Sequence, residues 1–575
     1  MGACIGTVVS RNLGSMSTKP YLPPGNMFTP KLLSMWREGY GLKHFKSDAL
    51  AGLTVAIVAL PLSMAIAIGS GAKPENGLYT AIIGGFLISA LGGSRFQIGG
   101  PAGAFIVLVA TTIERFGLSG LLLATIMAGM LMVVAGYLKL GTFIKYIPHP
   151  VTVGFTAGIG VIIFSGEIKD LLGLSLEHEP GPLLQKLPAL WHSLPTLSPW
   201  SLALSILCVA IIIGAKRINP RFPGLLVAVT LGAVLTYAFN LPVETIGSKF
   251  GGVPQSLPLP SWPDFPLSRI GELVPSAIAI ALLGSIESLL SAVVADGMSG
   301  RRHRSNAELV AQGYANIASA LFGGICATGT IARTATNIRA HAHGPIAGML
   351  HSLFLLGFML IAAPLASYIP LAALAAVLAT VAWNMVERDH ISSIFKHDRG
   401  EAAVLAATFL LTVFRDVTEA IAVGVTLGAI LFMHRMAQMV EVSSHQPLIE
   451  GDTSAEGQAI EQDRSGFLAW RVSGPFFFGA ASTVGSVLEN IGERPRIFAL
   501  DLSAVPLTDG TGAQTLLGFV EKCARHNTRV VLVGAQPQVR HALEACGLAL
   551  PLVDYVGSLD EARQLDPMVQ SQLVP

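Results

Sequence analysis

The sequence predicts an α-helical polytopic membrane protein, arranged as two inverted sets of seven segments and followed by a small α/β domain. Three observations predict it. Of 575 residues, 52% are hydrophobic and only 13% charged, against roughly 25% charged in soluble globular chains, and the mean hydropathy is +0.60. Fourteen apolar segments are readable up to about residue 436. Two of these segments, at matching places in their halves, are short and preceded by a glycine pair.

In order, the segments fall near 50–70, 76–91, 100–113, 118–138, 148–166, 200–215, 222–240, 274–295, 307–322, 330–340, 345–368, 370–386, 401–414 and 417–435. A full span needs roughly 20 apolar residues. The third and tenth are too short for that, and they occupy equivalent positions in two sets of seven. Because seven is odd, the second set runs inverted relative to the first. With the N-terminus placed inside, Arg95, Lys139, Lys145, Lys216, Arg217, Arg221, Arg301, Arg302, Arg304, Arg388, Lys396, Arg399 and Arg435 fall in inner loops. The outer loops hold fewer basic residues, as the positive-inside rule requires. Both chain ends are then cytoplasmic. Arg95 reads as a topology charge. Arg301-Arg302-His303-Arg304 reads as a basic loop against anionic lipid.

The two breaks carry the chemistry. One runs from Gly92-Gly93 through Gly99, Gly100, Pro101 and Ala102. The other runs from Gly323-Gly324 through Thr328, Gly329 and Thr330 to Arg333. A helix beginning at each break presents unpaired N–H groups and a partial positive charge. Pro101 suits a first helical turn, where its missing N–H costs nothing. Two such ends facing each other, with the fixed charge of Arg333, make a site for a small anion. The same glycines would also serve close helix packing. Glu287 lies in the middle of the eighth segment, and an ionisable residue there is a functional candidate by default. It reads as a proton-coupling group, with a static partner for Arg333 or for a helix N-terminus as the alternative. Ser285, Ser288 and Ser291 share its segment and either line the site or bond to backbone carbonyls. Glu75 reads as an ordinary helix-start carboxylate and Asp296 as the close of the eighth segment. His341 and His343 flank the end of the tenth segment and read as solvated loop positions, with a sensor of cytoplasmic pH as the alternative.

Beyond 436 the pattern changes. A polar stretch reads as a linker. Strands near Phe467–Val472, Arg496–Leu502 and Val530–Val533 then alternate with helices near Gly512–Cys523 and Gln536–Cys546, which argues for a small α/β domain. The expected division is 1–45 N-terminal segment, 46–436 transport domain, 437–464 linker, 465–567 α/β domain and 568–575 tail. A net charge of +1 gives no sign of nucleic acid, and five scattered cysteines show no metal spacing. Without a nucleophile–base pair, metal cluster or phosphate loop, neither an enzyme nor a cofactor is expected. The coupling ion would be a proton or sodium.

Four stretches closely resemble the sulfate permease family: Ile286–Gly297, Asn306–Gly313 with Asn316, Phe322-Gly323-Gly324, and Ile331–Arg339. Ile98–Ala104 is similar to that family's third-helix motif. The resemblance implies core and gate domains, elevator-like motion, a C-terminal STAS domain similar to anti-sigma-factor antagonists, and a homodimer in the inner membrane. Gly284–Leu290 and Val381–Met385 are similar to the C4-dicarboxylate branch, which implies proton-coupled uptake of succinate, fumarate or aspartate. Sodium-driven bicarbonate members carry aspartate where Glu287 stands. A sulfate or bicarbonate carrier is the alternative, and a channel or regulatory scaffold is the alternative of another class. In the STAS region Asp509-Gly510-Thr511-Gly512 stands where the antagonists have a phosphorylated Asp-Ser-Ser-Gly loop. Thr511 is therefore the candidate regulatory position, and a cytoplasmic protein is the implied partner.

Overall fold

The computed structural model describes residues 27–142, 148–176, 183–218, 223–415, 417–444, 466–489 and 495–565. The expected roles of residues 1–26, Lys145, Arg221, most of the linker (445–464) and the tail lie outside these. The chain divides into two compact units, Met1–Val425 and Thr426–Pro575.

All fourteen apolar segments are helical in the first unit or on its border. Helix α1 (Lys31–Arg37) precedes them. Helix α2 (Leu42–Gly69) is the first segment. The second is α3 (Pro74–Tyr79), a π-helical turn (Thr80–Gly84) and α4 (Gly85–Leu91). A two-residue strand, β1 (Gly99–Gly100), and a 3-10 turn (Gly103–Phe105) lead into α5 (Ile106–Tyr137), which holds the third and fourth segments. Gly117, at φ +71° and ψ 179°, breaks α5 between them; glycine adopts this backbone without the Cβ penalty. Next come α6 (His149–Leu172), α7 (Leu183–Ser193), α8 (Pro199–Ile218), α9 (Gly224–Phe239) and α10 (Ile246–Phe250). The second set is α11 (Ile270–Ser299), α12 (Ser305–Leu321), strand β2 (Thr328–Gly329), α13 (Ile331–Arg339), α14 (Ile346–Ala366), α15 (Leu371–Met385), α16 (Arg388–His397), α17 (Arg399–Phe414) and α18 (Val417–Gln438). Among the described residues, eight helices are long and apolar enough to cross a membrane by themselves.

The packing repeats when the halves are exchanged. The first segment (α2) packs on the eleventh (α14), and seven places along the eighth (α11) packs on the fourth, within α5. In a second group the fifth (α6) packs on the thirteenth (α17), and the twelfth (α15) on the sixth (α8). These are the core and gate domains. The core is tight where small residues meet. A Cβ on Gly313 of α12 would lie 2.5 Å from the Gly129 carbonyl oxygen of α5, and one on Gly129 would lie 2.6 Å from the Gly313 oxygen. Membrane helices associate largely through such close backbone approach.

The second unit is a five-stranded sheet of order β3-β4-β5-β6-β7. Its strands are β3 (Glu441–Ser444), β4 (Phe467–Ser473), β5 (Ile497–Ala504), β6 (Arg529–Val533) and β7 (Val553–Val556), with α19 (Phe478–Glu489), α20 (Gly510–Arg525), α21 (Pro537–Ala545) and α22 (Leu559–Gln564) between or after them. The pairs from β4 to β7 are parallel and β3 is antiparallel to β4. On β5, Phe498, Leu500 and Leu502 enter one apolar cluster while Ile497 and Ala499 enter another, so the strand is covered on both faces as parallel strands require. Two expectations change. The division between the units falls inside α18, ahead of residue 437, and part of the expected linker is strand β3. That strand is polar and four residues long, so it has no apolar alternation to reveal it. Its backbone pairing with β4 makes it a strand.

A Gly313→Val substitution drives two methyl groups into the α5 backbone. It should destabilise the core domain by about 1–3 kcal/mol, the usual cost of overpacking, and lower the melting temperature of the detergent-purified protein. Gly357→Val, in α14 where a Cβ meets nothing within 4 Å, is the control.

Candidate anion site

The two broken segments meet. Strand β1 pairs antiparallel with β2, Gly99 opposite Gly329 and Gly100 opposite Thr328. Thr330 extends the pairing through its N–H, which donates to the Ile98 carbonyl at 3.0 Å. The start of α13 and the turn opening α5 are therefore brought together, and that turn begins at Gly103 rather than at Pro101, which stays in the extended stretch before it. Side-chain bulk is excluded there. A Cβ on Gly100 would strike Arg333 Nη1, and one on Gly329 would strike the Gln97 amide.

Helix α11 supplies one wall. Gly284, Glu287, Ser288 and Ser291 stand at i, i+3, i+4 and i+7, so they share a face. The Gly284 carbonyl accepts from Thr328 Oγ1 at 3.2 Å. Ser288 Oγ lies 2.7 Å from Thr328 Oγ1 and accepts from the Gly329 N–H at 3.1 Å. Ser291 Oγ donates to Thr334 Oγ1 at 3.2 Å, and Thr334 Oγ1 accepts from the Ile98 N–H at 3.1 Å. Ser285 does not join them. Its hydroxyl donates to the Ala281 carbonyl at 2.6 Å within the helix, the backbone-bonding role left open above. Glu287 is half-buried, and its Oε2 is buried with no hydrogen-bond partner among the described residues.

Arg333 is 2% exposed. Its Nη2 donates to Ser63 Oγ and to the Pro101 carbonyl, each at 3.2 Å. Nε and Nη1 have no partner among the described residues. The guanidinium thus sits behind β1, where a Gly100 side chain would be, and puts a fixed charge under the glycine strand. Ala102 is buried, and its carbonyl accepts the Phe105 N–H at 3.1 Å, opening the turn into α5. From the gate, Met385 Sδ would lie 3.6 Å from a Cβ on Gly103. His351 of α14 is fully buried, and neither ring nitrogen has a partner among the described residues.

Sequence reading missed the supports. Asn316 of α12 donates to the Ala327 carbonyl and accepts the Ala327 N–H, both at 2.8 Å. Glu308 accepts the Ser94 N–H at 3.0 Å and the Gln312 amide at 3.1 Å. Gln97 donates to the Ser288 carbonyl at 3.1 Å and Asn337 to the Phe96 carbonyl at 2.9 Å. Glu308, Gln312 and Asn316 recur every four residues along α12, and all three are buried. That polar stripe is the signal that could have found them.

The family model for the sulfate permease family matches residues 45–408, and the STAS model matches 459–561. The chain belongs to the sulfate permease family. A putative sulfate transporter of Bacillus subtilis is 40% identical over 89% of this chain and 95% of its own length. The bicarbonate transporter BicA of a Picosynechococcus strain is 30% identical over 87% of this chain and 91% of its own length. The solved structure of SLC26A9 shares the fold, with a TM-score of 0.82 at 17% identity over 96% of this chain and 94% of that one. The transmembrane domain of a cyanobacterial BicA aligns at a TM-score of 0.60 and 29% identity, covering 66% of this chain and 98% of its own. The permease is accordingly a multi-pass membrane anion transporter rather than an enzyme.

Two charges of the permease, Arg95 and Arg304, are placed differently from expectation, and Asp296 and Glu75 stand near helix ends, as expected. Arg95 is buried and forms a close ion pair with Glu38, so it does more than set topology. Arg304 donates to the Thr29 carbonyl at 2.6 Å and to Ser34 Oγ at 2.9 Å, which fixes α1 rather than meeting lipid. Asp296 accepts from the His303 N–H at 3.0 Å. Glu75 stands in the first turn of α3 with Lys73 4.0 Å away. Thr511 is exposed in the first turn of α20, which Asp509 caps by accepting the Gly512 N–H at 2.8 Å. A cavity of about 590 Å³ between α2, α9 and α14 is lined by apolar side chains such as Leu60, Val229 and Phe358, and does not include the anion-site residues.

The loop after α13 is also more built than expected. His343 stacks on His44, with ring centroids 3.9 Å apart and planes 7° from parallel. Buried Asp48 accepts the His343 N–H at 2.5 Å, the Gly344 N–H at 3.1 Å and the Tyr40 hydroxyl at 2.8 Å. Ser47 donates to the His341 carbonyl at 2.6 Å. Burial first, then the charge of His44, push His343 below the ordinary value of 6.5; Asp48 opposes this, and Arg95 and Arg301 reinforce it. A base with a lowered native pKa takes up its proton more readily when unfolded. Its contribution to stability is complete above about pH 6.5 and is lost as pH falls through the lower native value. The melting temperature of the wild type should therefore fall more steeply between about pH 7 and pH 5 than that of His343→Gln. Parallel curves for the two proteins would reject the role of the stack.

Proposed function

We propose that the permease is a proton-coupled carrier of a compact oxyanion, with sulfate as the favoured substrate and bicarbonate as the second candidate. The observation that carries this is the pairing of β1 with β2 over Arg333, whose Nε and Nη1 are buried and unpartnered among the described residues. Buried donors without partners are costly, so a ligand that supplies acceptor oxygens gains by filling them. The N–H groups at the start of α13 add weaker donors of the same sign, while the Thr328 and Thr330 hydroxyls already donate to the Gly284 and Ile98 carbonyls.

Proton coupling is assigned to Glu287. It shares the Ser288 face of α11, and its Oε2, without a partner among the described residues, is open to a proton or an ion. Transport would move the core, with β1, β2 and Arg333, against a gate that includes Met385. That is the elevator-like mode implied by the family. The name of the Bacillus relative supports sulfate, and BicA supports bicarbonate. The C4-dicarboxylate reading rests on the likeness of Gly284–Leu290 and Val381–Met385 to that branch. A dicarboxylate carries two separated charges, and the site residues described above include one fixed cation. This favours the compact anion. We further place the carrier as a homodimer in the inner membrane, both termini cytoplasmic, with the STAS unit as a docking surface for a protein partner.

In proteoliposomes with an inward proton gradient, labelled sulfate should accumulate, and unlabelled succinate should compete poorly. Preferential accumulation of succinate would restore the dicarboxylate reading. Glu287→Gln should bind sulfate yet lose gradient-driven accumulation; undiminished accumulation removes Glu287 from coupling. Arg333→Ala should weaken anion binding by about 1.5–3 kcal/mol, roughly tenfold to a hundredfold, measured by titration of the purified protein.

A further inference from the structure

One cluster used by neither the anion site nor the family resemblance lies where α6 meets the junction of α15 and α16. His149 is the first residue of α6, Glu387 immediately precedes α16 and His390 is in its first turn. One ligating atom from each of the three lies within 4.8 Å of the others. His390 Nδ1 and Glu387 Oε2 are 2.6 Å apart. The rings of His149 and His390 meet edge to face, with centroids 5.4 Å apart.

The convergence is fixed from below. Residues four apart share a helix face. Val153 follows His149 by four on α6, and Ile394 follows His390 by four on α16. Val153 and Ile394 are buried in one cluster with Ala402 and Leu405 of α17. That apolar contact sets the two helix faces so that the imidazoles emerge side by side at its rim. The neighbouring cation, Arg388, is drawn over the Trp383 ring, 4.4 Å from its centroid.

We propose that His149, Glu387 and His390 form a binding site for a late first-row divalent metal ion, zinc foremost, which ties the start of α6 to the α15–α16 junction of the gate. Two imidazoles and one carboxylate are donors that zinc accepts, with a fourth position left for water or an anion. Magnesium and calcium prefer oxygen-only sets. Donors around a tetrahedral zinc with bonds of about 2.1 Å stand about 3.4 Å apart. On metal binding the His390–Glu387 contact would give up its shared proton and open from 2.6 Å to that spacing, and rotation of the exposed His149 ring would bring in the third donor. Sequence spacing hides the site, because His149 lies far along the chain from the Glu387–His390 pair; this is why no metal was expected.

The test uses the full-length protein in detergent, with any affinity tag removed, and zinc or cobalt(II) as the probe. Zinc should raise the melting temperature with one-to-one stoichiometry, and cobalt should give the visible bands of a tetrahedral site. His149→Ala and His390→Ala should each weaken zinc binding by more than the roughly tenfold to hundredfold lost when a mere supporting partner of a ligand is removed. Glu387→Gln, which keeps the shape of the side chain, should weaken it in the same direction. His397→Ala, also on α16 but outside the cluster, should bind zinc as the wild type does. Absence of saturable zinc binding in the wild type overturns the proposal. So does zinc affinity retained in the His149→Ala/His390→Ala double variant.

Discussion

Backbone polar groups inside a bilayer must be satisfied by the protein itself, and this constraint organises the first unit. The chain leaves the helical path twice, before α5 and before α13, and each departure exposes N–H and C=O groups that no intrahelical bond can use. The structure answers with the β1–β2 pair and with side chains that act as substitute backbone. Asn316 takes both polar groups of Ala327, Ser288 takes the Gly329 N–H, Thr334 takes the Ile98 N–H, and Glu308 takes the Ser94 N–H. Helices α11 and α12 are therefore more than apolar spans. Their polar faces hold the interruptions open.

The site's electrostatics follow from that arrangement. Glycines at 99, 100 and 329 bring two backbones together and leave room behind them for Ile88, Arg333 and Gln97 respectively. The arginine is anchored through a single nitrogen, by Ser63 and Pro101, which leaves two other nitrogens uncommitted among the described residues. An anchored cation with spare donors suits an anion that must bind and leave. A carboxyl on the adjacent helix face, with one oxygen unpaired, gives the same region a group able to carry a proton. Mobility of the core against the gate would then expose one preformed site to either side.

Polar residues at the helix ends serve attachment more than solvation. Arg95 with Glu38, Arg304 with Thr29 and Ser34, and Asp48 with Tyr40, His343 and Gly344 all tie the segment before α2, or α2 itself, to loops far along the chain. From sequence alone such residues look like topology charges or solvated loop positions. Only folding shows that the partners lie 57 residues away for Arg95 and 270 or more for Arg304 and for the Asp48 contacts to His343 and Gly344.

The sequence by itself determined the class of the protein, the fourteen helical segments, the two breaks, and the central strands of the second unit. Those features are written in local apolar run length, glycine placement and charge asymmetry, which act within a few residues. It also singled out Arg333 and Glu287, because a charge in an apolar run stands out. The tertiary structure alone decided the pairing of β1 with β2, the split between Ser285 and its neighbours Ser288 and Ser291, the strand at Glu441–Ser444, and the meeting of His149 with His390. Each of these depends on which residues meet across long separations in the chain. That is set by packing of whole helices or strands, and local periodicity carries no record of it.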